Sequence, residues 1–247
     1  MPESYRGVLF DLFGTLLTVD ARGLPELVVD GVPHRTTVGG LAPALAGWVP
    51  GVSLADFARA LHAVSDEMAQ ARAADHVELS SRERFRRALT RVGCADDVLV
   101  EAAADLSRAH MALVAAATVL PPAHAALLAA LRPRYRLGLV SNFDDTATAY
   151  DILVRHKIAG CLDTVVISEG LGLRKPHPAM ARAGLRGLGL APPEVLLVGD
   201  TYGEDVAGAR AAGLDAAWID VHGRGVPDGA LPPRYVLRAL PELAALL

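Results

Sequence analysis

The chain of 247 residues is poor in several residue types, and each shortage excludes a class of protein. Its two cysteines, Cys94 and Cys161, are too few for a disulfide framework and lack zinc-site spacing. We therefore expect both to be small buried or half-buried residues. The net charge of -4 does not provide the basic surface of a nucleic-acid-binding protein. No apolar run is long enough to cross a membrane.

An export signal is not evident in the sequence, and aromatic residues and lysines are few. Residues 1–6 lead directly into a predicted strand without a signal peptide, which indicates a cytoplasmic protein. Aromatic residues are 5% of the chain while hydrophobic residues are 52%, so leucine, valine and alanine must fill the core. Lysine occurs only at positions 157 and 175, and a lysine inside a motif therefore carries weight.

Short apolar runs alternate with helical patterns through most of the chain. Strands are predicted at residues 8–10, 136–140, 164–167, 195–198 and 216–219, with an edge strand at 235–237. Prolines and aspartates open the helices between them, and glycines end these helices. Asp205, for example, is predicted to start a helix that runs through Ala212. This alternation predicts βαβ units and an α/β fold with a Rossmann-like, doubly wound parallel sheet.

A helical stretch interrupts this series after the first strand. Ser53 with Asp56 and Ser80 with Glu83 have the spacing of helix-capping pairs. Before them, an Asp-Gly pair between apolar runs predicts a β-hairpin near residues 27–37. We therefore predict a core of residues 1–18 and 118–247 and an inserted helical cap of residues 19–117.

Polar side chains follow the ends of predicted strands. Asp11 follows the first strand, Ser141 the second and Asp200 the fourth, with Lys175 and Asp205 nearby in the chain. Strand ends of a doubly wound sheet converge on one crevice, although each residue could also be a helix cap or a surface charge. In one crevice the residue types suit phosphoryl transfer: a carboxylate nucleophile, an all-oxygen Mg²⁺ site, and a hydroxyl and an ammonium for phosphoryl oxygens.

Four ordered segments resemble the motifs of the haloacid dehalogenase-like (HAD) hydrolase superfamily. They are Asp11-Leu-Phe-Gly-Thr-Leu, Val140-Ser141-Asn142, Gly172-Leu-Arg-Lys175-Pro-His-Pro and Gly199-Asp200-Thr-Tyr-Gly-Glu-Asp205. The resemblance covers the whole predicted core, and the insertion resembles the small helical cap of the first cap class.

The resemblance implies specific roles for these residues. Asp11 would be the nucleophile, and Mg²⁺ would be held by Asp11, Asp200, Asp205 and the backbone carbonyl of Phe13. Ser141 and Lys175 would act in catalysis and, with Asn142 and Thr15, bind phosphate. The implied partner is a small phosphorylated substrate, and neither a nucleic acid nor a membrane is expected to bind. The expected oligomeric state is a monomer or a homodimer.

One position departs from the superfamily's phosphatase pattern. Phosphatases that this chain resembles carry a second aspartate two residues after the nucleophile, and here that position is Phe13. A phenyl ring cannot transfer a proton, and losing a general acid–base costs roughly 10²–10⁴-fold in rate. The leading interpretation is a phosphatase that uses substrates with good leaving groups or borrows a proton donor such as His34.

Other interpretations stay open. A 2-haloacid dehalogenase would use Asp11 against carbon, with Arg22 or Arg35 binding the substrate carboxylate, but Asp200 and Asp205 have no evident use in that reaction. An inactive or weakly active binding module is supported only by the missing acid. A phosphonate-cleaving enzyme would resemble a branch with a cap lysine, and residues 19–117 contain none.

Overall fold

The computed structural model of the protein describes residues 5–247. The expectation of a chain without a signal peptide falls partly on residues 1–4, which lie outside the described residues. Contacts divide the chain into two compact units: one combines the described residues up to Thr18 with Val119–Leu247, and the other is Val19–Thr118. No described helix is both long and apolar enough to cross a membrane.

The strands are named here in chain order. They are β1 (Gly7–Phe10), β2 (Thr18–Val19), β3 (Glu26–Val29), β4 (Val32–Arg35), β5 (Thr118–Val119), β6 (Arg136–Ser141), β7 (Thr164–Ile167), β8 (Val195–Gly199), β9 (Asp215–Ile219) and β10 (Tyr235–Leu237).

The helices follow the same convention. They are α1 (Ala42–Trp48), α2 (Leu54–Asp75), α3 (Ser81–Arg91), α4 (Leu99–Ala117), α5 (Pro122–Leu131), α6 (Thr146–Arg155), α7 (Ser168–Leu171), α8 (Pro178–Leu188) and α9 (Ala207–Ala212).

The first unit contains a six-stranded sheet in the order β10-β9-β8-β1-β6-β7. Every neighbouring pair is parallel, and Phe10 of β1 lies opposite Val198 of β8 and Leu139 of β6. All residues of β1 and β8 are buried, as expected for central strands with helices over both faces. The predicted Rossmann-like α/β fold is confirmed, and the ends of β8, β1 and β6 lie side by side.

The second unit is a helical body with its own hydrophobic core. The side chain of Ser53 accepts a hydrogen bond from the backbone N–H of Asp56, which begins α2, and Ser80 does the same for α3. Helix α2 then buries one stripe of its surface, made of Phe57, Leu61, Val64 and Met68. Strands β3 and β4 form an antiparallel hairpin around a turn at residues 30–31. Whether this unit acts as a cap stays a prediction.

The interpretation of Asp205 as the start of a helix is wrong. A wider π-helical turn covers Tyr202–Val206, and α9 begins only at Ala207. A helix-starting carboxylate accepts hydrogen bonds from residues that follow it, whereas Asp205 accepts one from the backbone N–H of Thr201, 2.9 Å away. Asp205 is therefore a buried site residue rather than a cap. Its carboxylate contacts Lys175 as well as Thr201, which explains this position.

Candidate active site

The site lies at the carboxyl edge of the sheet, where three central strands end. Asp11 directly follows β1, Ser141 is the last residue of β6, and Asp200 directly follows β8. Because these strands are neighbours, their following residues share one edge of the sheet. The backbone N–H of Asp11 continues the ladder by donating to the carbonyl of Val198 at 2.9 Å. The position of Asp11 is thus set by the sheet itself.

Lys175 connects two of the aspartates. Its Nζ lies 2.6 Å from Oδ1 of Asp11 and 2.7 Å from Oδ1 of Asp205, and all three residues are buried. Ion pairs removed from water are held strongly in place, since breaking one leaves an uncompensated buried charge. Lys175 therefore holds the predicted nucleophile and one predicted metal ligand in a defined geometry.

Charges and burial shift the pKa values of this group. Burial raises the pKa of Asp11 above its usual range, the nearby ammonium of Lys175 opposes that rise, and Asp205 adds to it. Burial and then Asp205 also raise the pKa of Asp200. Burial by itself would lower the pKa of Lys175, but the two carboxylates that it contacts raise it instead. Lys175 is therefore a permanent cation, and the negative charges of the carboxylates repel one another.

Three carboxylates at this edge could hold a metal ion. Oxygen atoms of Asp11, Asp200 and Asp205 all lie within 4.8 Å of one another. With all three ionised and Lys175 charged, an excess of negative charge remains at a buried position. An all-oxygen set with that excess suits a hard divalent cation such as Mg²⁺. The donor chemistry therefore fits the metal that the resemblance implies.

Glycine is required beside Asp200. Gly14 has a φ of +84°, and a Cβ there would lie 2.7 Å from Cγ of Asp200 and closer still to its Oδ2. A side chain at position 14 would therefore displace the carboxylate. On the other side, the indole Nε1–H of Trp218 donates to the backbone carbonyl of Asp200 at 2.9 Å. Trp218 was not predicted as a site residue, although its register opposite Gly199 of β8 places it there.

Asn142 has a role that the sequence did not indicate. Its side-chain amide donates to the backbone carbonyl of Lys175 at 3.0 Å, and its Oδ1 accepts from the backbone N–H of Lys175 at 2.7 Å. These two bonds fasten the loop that carries the lysine to the end of β6. The predicted contact of Asn142 with phosphate stays a prediction.

Two buried hydroxyls have no hydrogen-bond partner among the described residues. They are Oγ of Ser141 and Oγ1 of Thr15, both predicted phosphate-binding groups. A buried hydroxyl without a partner costs free energy, about 1–3 kcal/mol, unless something else accepts or donates the bond. A bound anion with several oxygens would satisfy both, so this observation fits the predicted phosphate contacts.

Phe13 is half-buried and packs against an aromatic residue from the next strand end. The ring centroids of Phe13 and Phe143 lie 5.0 Å apart at an interplanar angle of 57°. The side chain thus belongs to an apolar contact between the loops after β1 and β6. The predicted role of its backbone carbonyl as a metal ligand stays a prediction.

The second unit contains the residues that were considered as substrate contacts or as a proton donor. The two arginines among them bond to nearby residues of the same unit. Arg22 is exposed and forms an ion pair with Asp20 at 2.8 Å. Arg35 donates from its guanidinium to the backbone carbonyls of Arg22 and Leu24. His34 lies exposed on β4.

Asp11, Lys175, Asp200 and Asp205 thus lie together at one edge of a parallel sheet, as the order of the four motifs predicted. The chain belongs to the haloacid dehalogenase-like hydrolase family, whose model matches residues 5–213. The resemblance stated from the four motifs is thereby confirmed.

Individual relatives agree with this assignment. The chain is 36% identical over 145 residues to a phosphoserine phosphatase of Thermus thermophilus, covering 56% of this chain and 54% of the relative. It is 34% identical over 119 residues to the pyrimidine 5'-nucleotidase YjjG of Escherichia coli, covering 48% and 52%. The alignments thus span about half the length of these relatives.

A solved structure shows the same fold over the whole chain. The 2-haloacid dehalogenase of Pseudomonas syringae superposes with a TM-score of 0.73 at 21% identity, covering 98% of this chain and 97% of that one. At this identity the likeness concerns the fold alone and does not distinguish a dehalogenase from a phosphatase.

Proposed function

We propose that the protein is a phosphoric monoester hydrolase that acts on a small phosphorylated metabolite through an aspartyl-phosphate on Asp11. The observation that carries this proposal is the group formed by the buried Asp11 and Asp205, which contact the Lys175 ammonium, and the half-buried Asp200 beside them. Carboxylates that can hold a divalent cation beside a nucleophile would allow the site to accept an anionic phosphate. Related chains named as phosphatases and a nucleotidase support the same chemistry.

The proposed first step transfers the phosphoryl group to the protein. A carboxylate oxygen of Asp11 bonds to phosphorus while the bond from phosphorus to the leaving oxygen breaks. The leaving oxygen keeps the electron pair and takes a proton from water, because Phe13 has none to give. Water then attacks the phosphorus of the aspartyl-phosphate and releases Asp11 and inorganic phosphate.

The other residues bind and orient the phosphoryl group. The hydroxyls of Ser141 and Thr15 and the ammonium of Lys175 would contact its oxygens and stabilise charge that develops in the transition state. We infer that Asp11, Asp200, Asp205 and the carbonyl of Phe13 would hold Mg²⁺. The bound cation would supply charge neutralisation between the anionic nucleophile and the anionic substrate.

A 2-haloacid dehalogenase is the second candidate, and Phe13 is the observation that favours it. Halide leaves without a proton, so an aromatic residue beside Asp11 would not limit that reaction. Arg22 or Arg35 would then bind the substrate carboxylate. Against this candidate, the carboxylates of Asp200 and Asp205 add repulsion that a halide-releasing site does not need. A cytoplasmic location and a monomeric or homodimeric state stay proposals.

Turnover of p-nitrophenyl phosphate tests the proposal, because this ester has a good leaving group. We expect Mg²⁺-dependent release of phosphate that disappears in Asp11→Asn, an exchange that keeps the side-chain shape and removes the nucleophilic charge. The matched control is Asp145→Asn, which changes an aspartate that caps α6 instead. The control should lose stability but keep turnover in the folded protein.

The opposite results are equally specific. Metal-independent chloride release from 2-chloropropionate, without phosphate release from the ester, would replace the phosphatase with the dehalogenase. Absence of both reactions in the folded, Mg²⁺-loaded protein would favour a binding module that has lost catalysis.

A further inference from the structure

The chain has two tryptophans, and the indole N–H of each donates a hydrogen bond to an aspartate. In the second unit, Nε1 of Trp48 lies 3.0 Å from Oδ2 of Asp105. In the first unit, Nε1 of Trp218 lies 2.9 Å from the backbone carbonyl oxygen of Asp200. An indole can donate a hydrogen bond but offers no oxygen to a metal ion. Trp218 therefore reaches a residue of the candidate metal site without being a ligand.

The sheet places Trp218 beside the end of β8. Trp218 is buried in β9 and lies opposite Gly199, the last residue of β8. Asp200 directly follows that strand, and its carbonyl belongs to the peptide group that leads into the next turn. The indole bond therefore fixes the orientation of the main chain at the point where β8 delivers its carboxylate to the edge of the sheet.

The ring of Trp218 also contacts the segment that carries Asp205. Tyr202 opens the π-helical turn to which Asp205 belongs, and its ring packs edge to face on the indole. The two ring centroids lie 5.4 Å apart at an interplanar angle of 83°, which is a favourable arrangement for an aromatic pair. The hydroxyl of Tyr202 donates in turn to the backbone carbonyl of Leu231. The indole thus lies between two segments that supply carboxylates.

The three carboxylates of the candidate metal site are held in different ways. Lys175 contacts the side chains of Asp11 and Asp205 directly. Asp200 has the indole bond at its backbone, and the hydroxyl of Thr201 lies 3.4 Å from its Oδ1. Because like charges repel one another, a carboxylate without an ammonium partner needs a restraint on its main chain to stay beside the other two.

We propose that Trp218 is a positioning residue for a divalent-cation site: its indole N–H holds the main chain of Asp200 so that the carboxylate of Asp200 can share one ion with Asp11 and Asp205. The proposal rests on the Mg²⁺ site of the proposed function and adds a residue of β9 to it. Groups that orient metal ligands without touching the metal typically contribute 10–100-fold to metal affinity, by about the same mechanism.

NMR titration of the full chain with MgCl₂ tests the proposal in the unchanged protein. The indole ¹⁵N–¹H signals of Trp48 and Trp218 are followed, and the spectrum of Trp48→Phe assigns them. We expect the Trp218 signal to shift saturably, because its acceptor is the carbonyl of a metal ligand, and the Trp48 signal to stay in place. Asp200→Asn keeps this carbonyl and removes the charge of the ligand, so it should abolish the shift.

Calorimetric titration of Trp218→Phe with MgCl₂ measures the contribution of the N–H group. This exchange keeps an aromatic ring beside Tyr202 and removes the donor. We expect the Kd for Mg²⁺ to rise about 10–100-fold with still one site per chain. A variant that only unfolded in part would have fewer sites per chain and an unchanged Kd. Trp48→Phe is the matched control, since it loses an indole bond to Asp105 and should keep the Kd of the unchanged protein.

Two results overturn the positioning role alone. One is an equal Kd for Mg²⁺ in folded Trp218→Phe and in the unchanged protein. The other applies even if Trp218→Phe does not fold: a Trp218 signal that stays in place while Mg²⁺ binds at a site that Asp200→Asn abolishes. Either result would leave the proposed function intact. Absence of Mg²⁺ binding to the unchanged, folded protein would instead overturn the positioning role together with the proposed metal site.

Discussion

Phe13 is the side chain on which the choice between reactions depends most. Its sequence position already showed that a proton-transferring group is missing two residues after Asp11. The structure adds that the ring packs against Phe143, so the aromatic residue has a partner of its own. Such an aromatic pair contributes about 0.5–1.5 kcal/mol beyond its buried area. An aspartate at position 13 would lose this contact.

Replacing Phe13 by aspartate should raise phosphatase activity on alkyl phosphates, whose leaving groups need a proton. General acid–base catalysis contributes about 10²–10⁴-fold, and we expect a gain of at most about 10²-fold because the new carboxyl is not pre-positioned. Phe13→Asn is the control, since it removes the same ring without adding an acid. Steady-state rates with p-nitrophenyl phosphate should change little in either variant. Equal rates of the aspartate and asparagine variants on an alkyl phosphate would contradict this explanation.

His110 should make the stability of the protein depend on pH. Its pKa falls to about 3 in the folded chain from a usual value of 6.5. Above about pH 6.5 neither state is protonated; between about pH 6.5 and 3 the unfolded chain binds a proton that the folded chain does not. The free energy of unfolding must therefore decrease as the pH falls through this window.

Urea unfolding at several pH values measures this effect. In His110→Gln the decrease between about pH 6.5 and 3 should be shallower by up to about 1.4 kcal/mol per pH unit. Nδ1 of His110 lies 2.8 Å from Oγ1 of Thr37. Loss of this contact lowers stability at every pH, so the slope and not the absolute value is compared. Identical slopes in His110→Gln and in the unchanged protein would refute the prediction.

The turn after β1 shows how an element serves the site. The turn passes so close to the loop after β8 that only a glycine fits beside Asp200. No pattern in the sequence indicated this contact. The contact depends on β8 being the hydrogen-bonded neighbour of β1, although 184 residues lie between the two strands in the chain. Pairs of strands that lie so far apart in the chain cannot be recognised from the sequence pattern.

Gly14→Ala should weaken Mg²⁺ binding more than it weakens the fold. A Cβ at this position displaces the Asp200 carboxylate, and the positive φ adds strain of about 1 kcal/mol. Gly213→Ala is a matched control: its φ is +82°, but a Cβ there meets only Pro192 at 3.7 Å, an ordinary contact. Both variants should lose similar thermal stability without metal. Only Gly14→Ala should lose the rise in melting temperature that Mg²⁺ produces; the same rise in both would count against a metal at Asp200.

The protein as a whole combines two units with separate hydrophobic cores. Leu9, Leu197 and Trp218 belong to a core of the sheet unit, and Phe57 and Phe85 to the core of the helical unit. Strands β2 and β5 pair where the chain leaves and re-enters the sheet unit, and the N–H of Asp20 donates to the carbonyl of Ala117 at 2.8 Å. The ends of the insertion are thus adjacent.

Replacing residues 20–117 with a short glycine-serine linker should leave a folded sheet unit. Its six strands and their core come entirely from the remaining chain, and adjacent ends need little loop-closure entropy. Circular dichroism should show cooperative thermal unfolding, and Mg²⁺ should raise the melting temperature. Asp200→Asn in the shortened chain is the control that should abolish the rise. A shortened chain without a cooperative transition would show that the sheet unit depends on the insertion.

Motif order allowed much of the site to be predicted. Asp11, Lys175, Asp200 and Asp205 were all named from the chain, and the structure brings them together at one edge. The contributions of Trp218 to Asp200 and of Asn142 to Lys175 were not predicted. Both are bonds to backbone atoms of distant residues, which no residue pattern records. The helix start assigned to Asp205 failed for a related reason, because its carboxylate bonds backwards to Thr201 and across to Lys175.

The amino-acid sequence by itself determined the strands of the six-stranded sheet, the helix starts at Ser53 and Ser80, and the chemical groups available for the reaction. These properties depend on neighbours along the chain, through periodicity, capping and residue type. Tertiary structure alone decided which groups touch: the Lys175 bridge between Asp11 and Asp205 and the buried Ser141 hydroxyl. Such contacts depend on strand order and burial, and burial sets the strength of every charge interaction in the site.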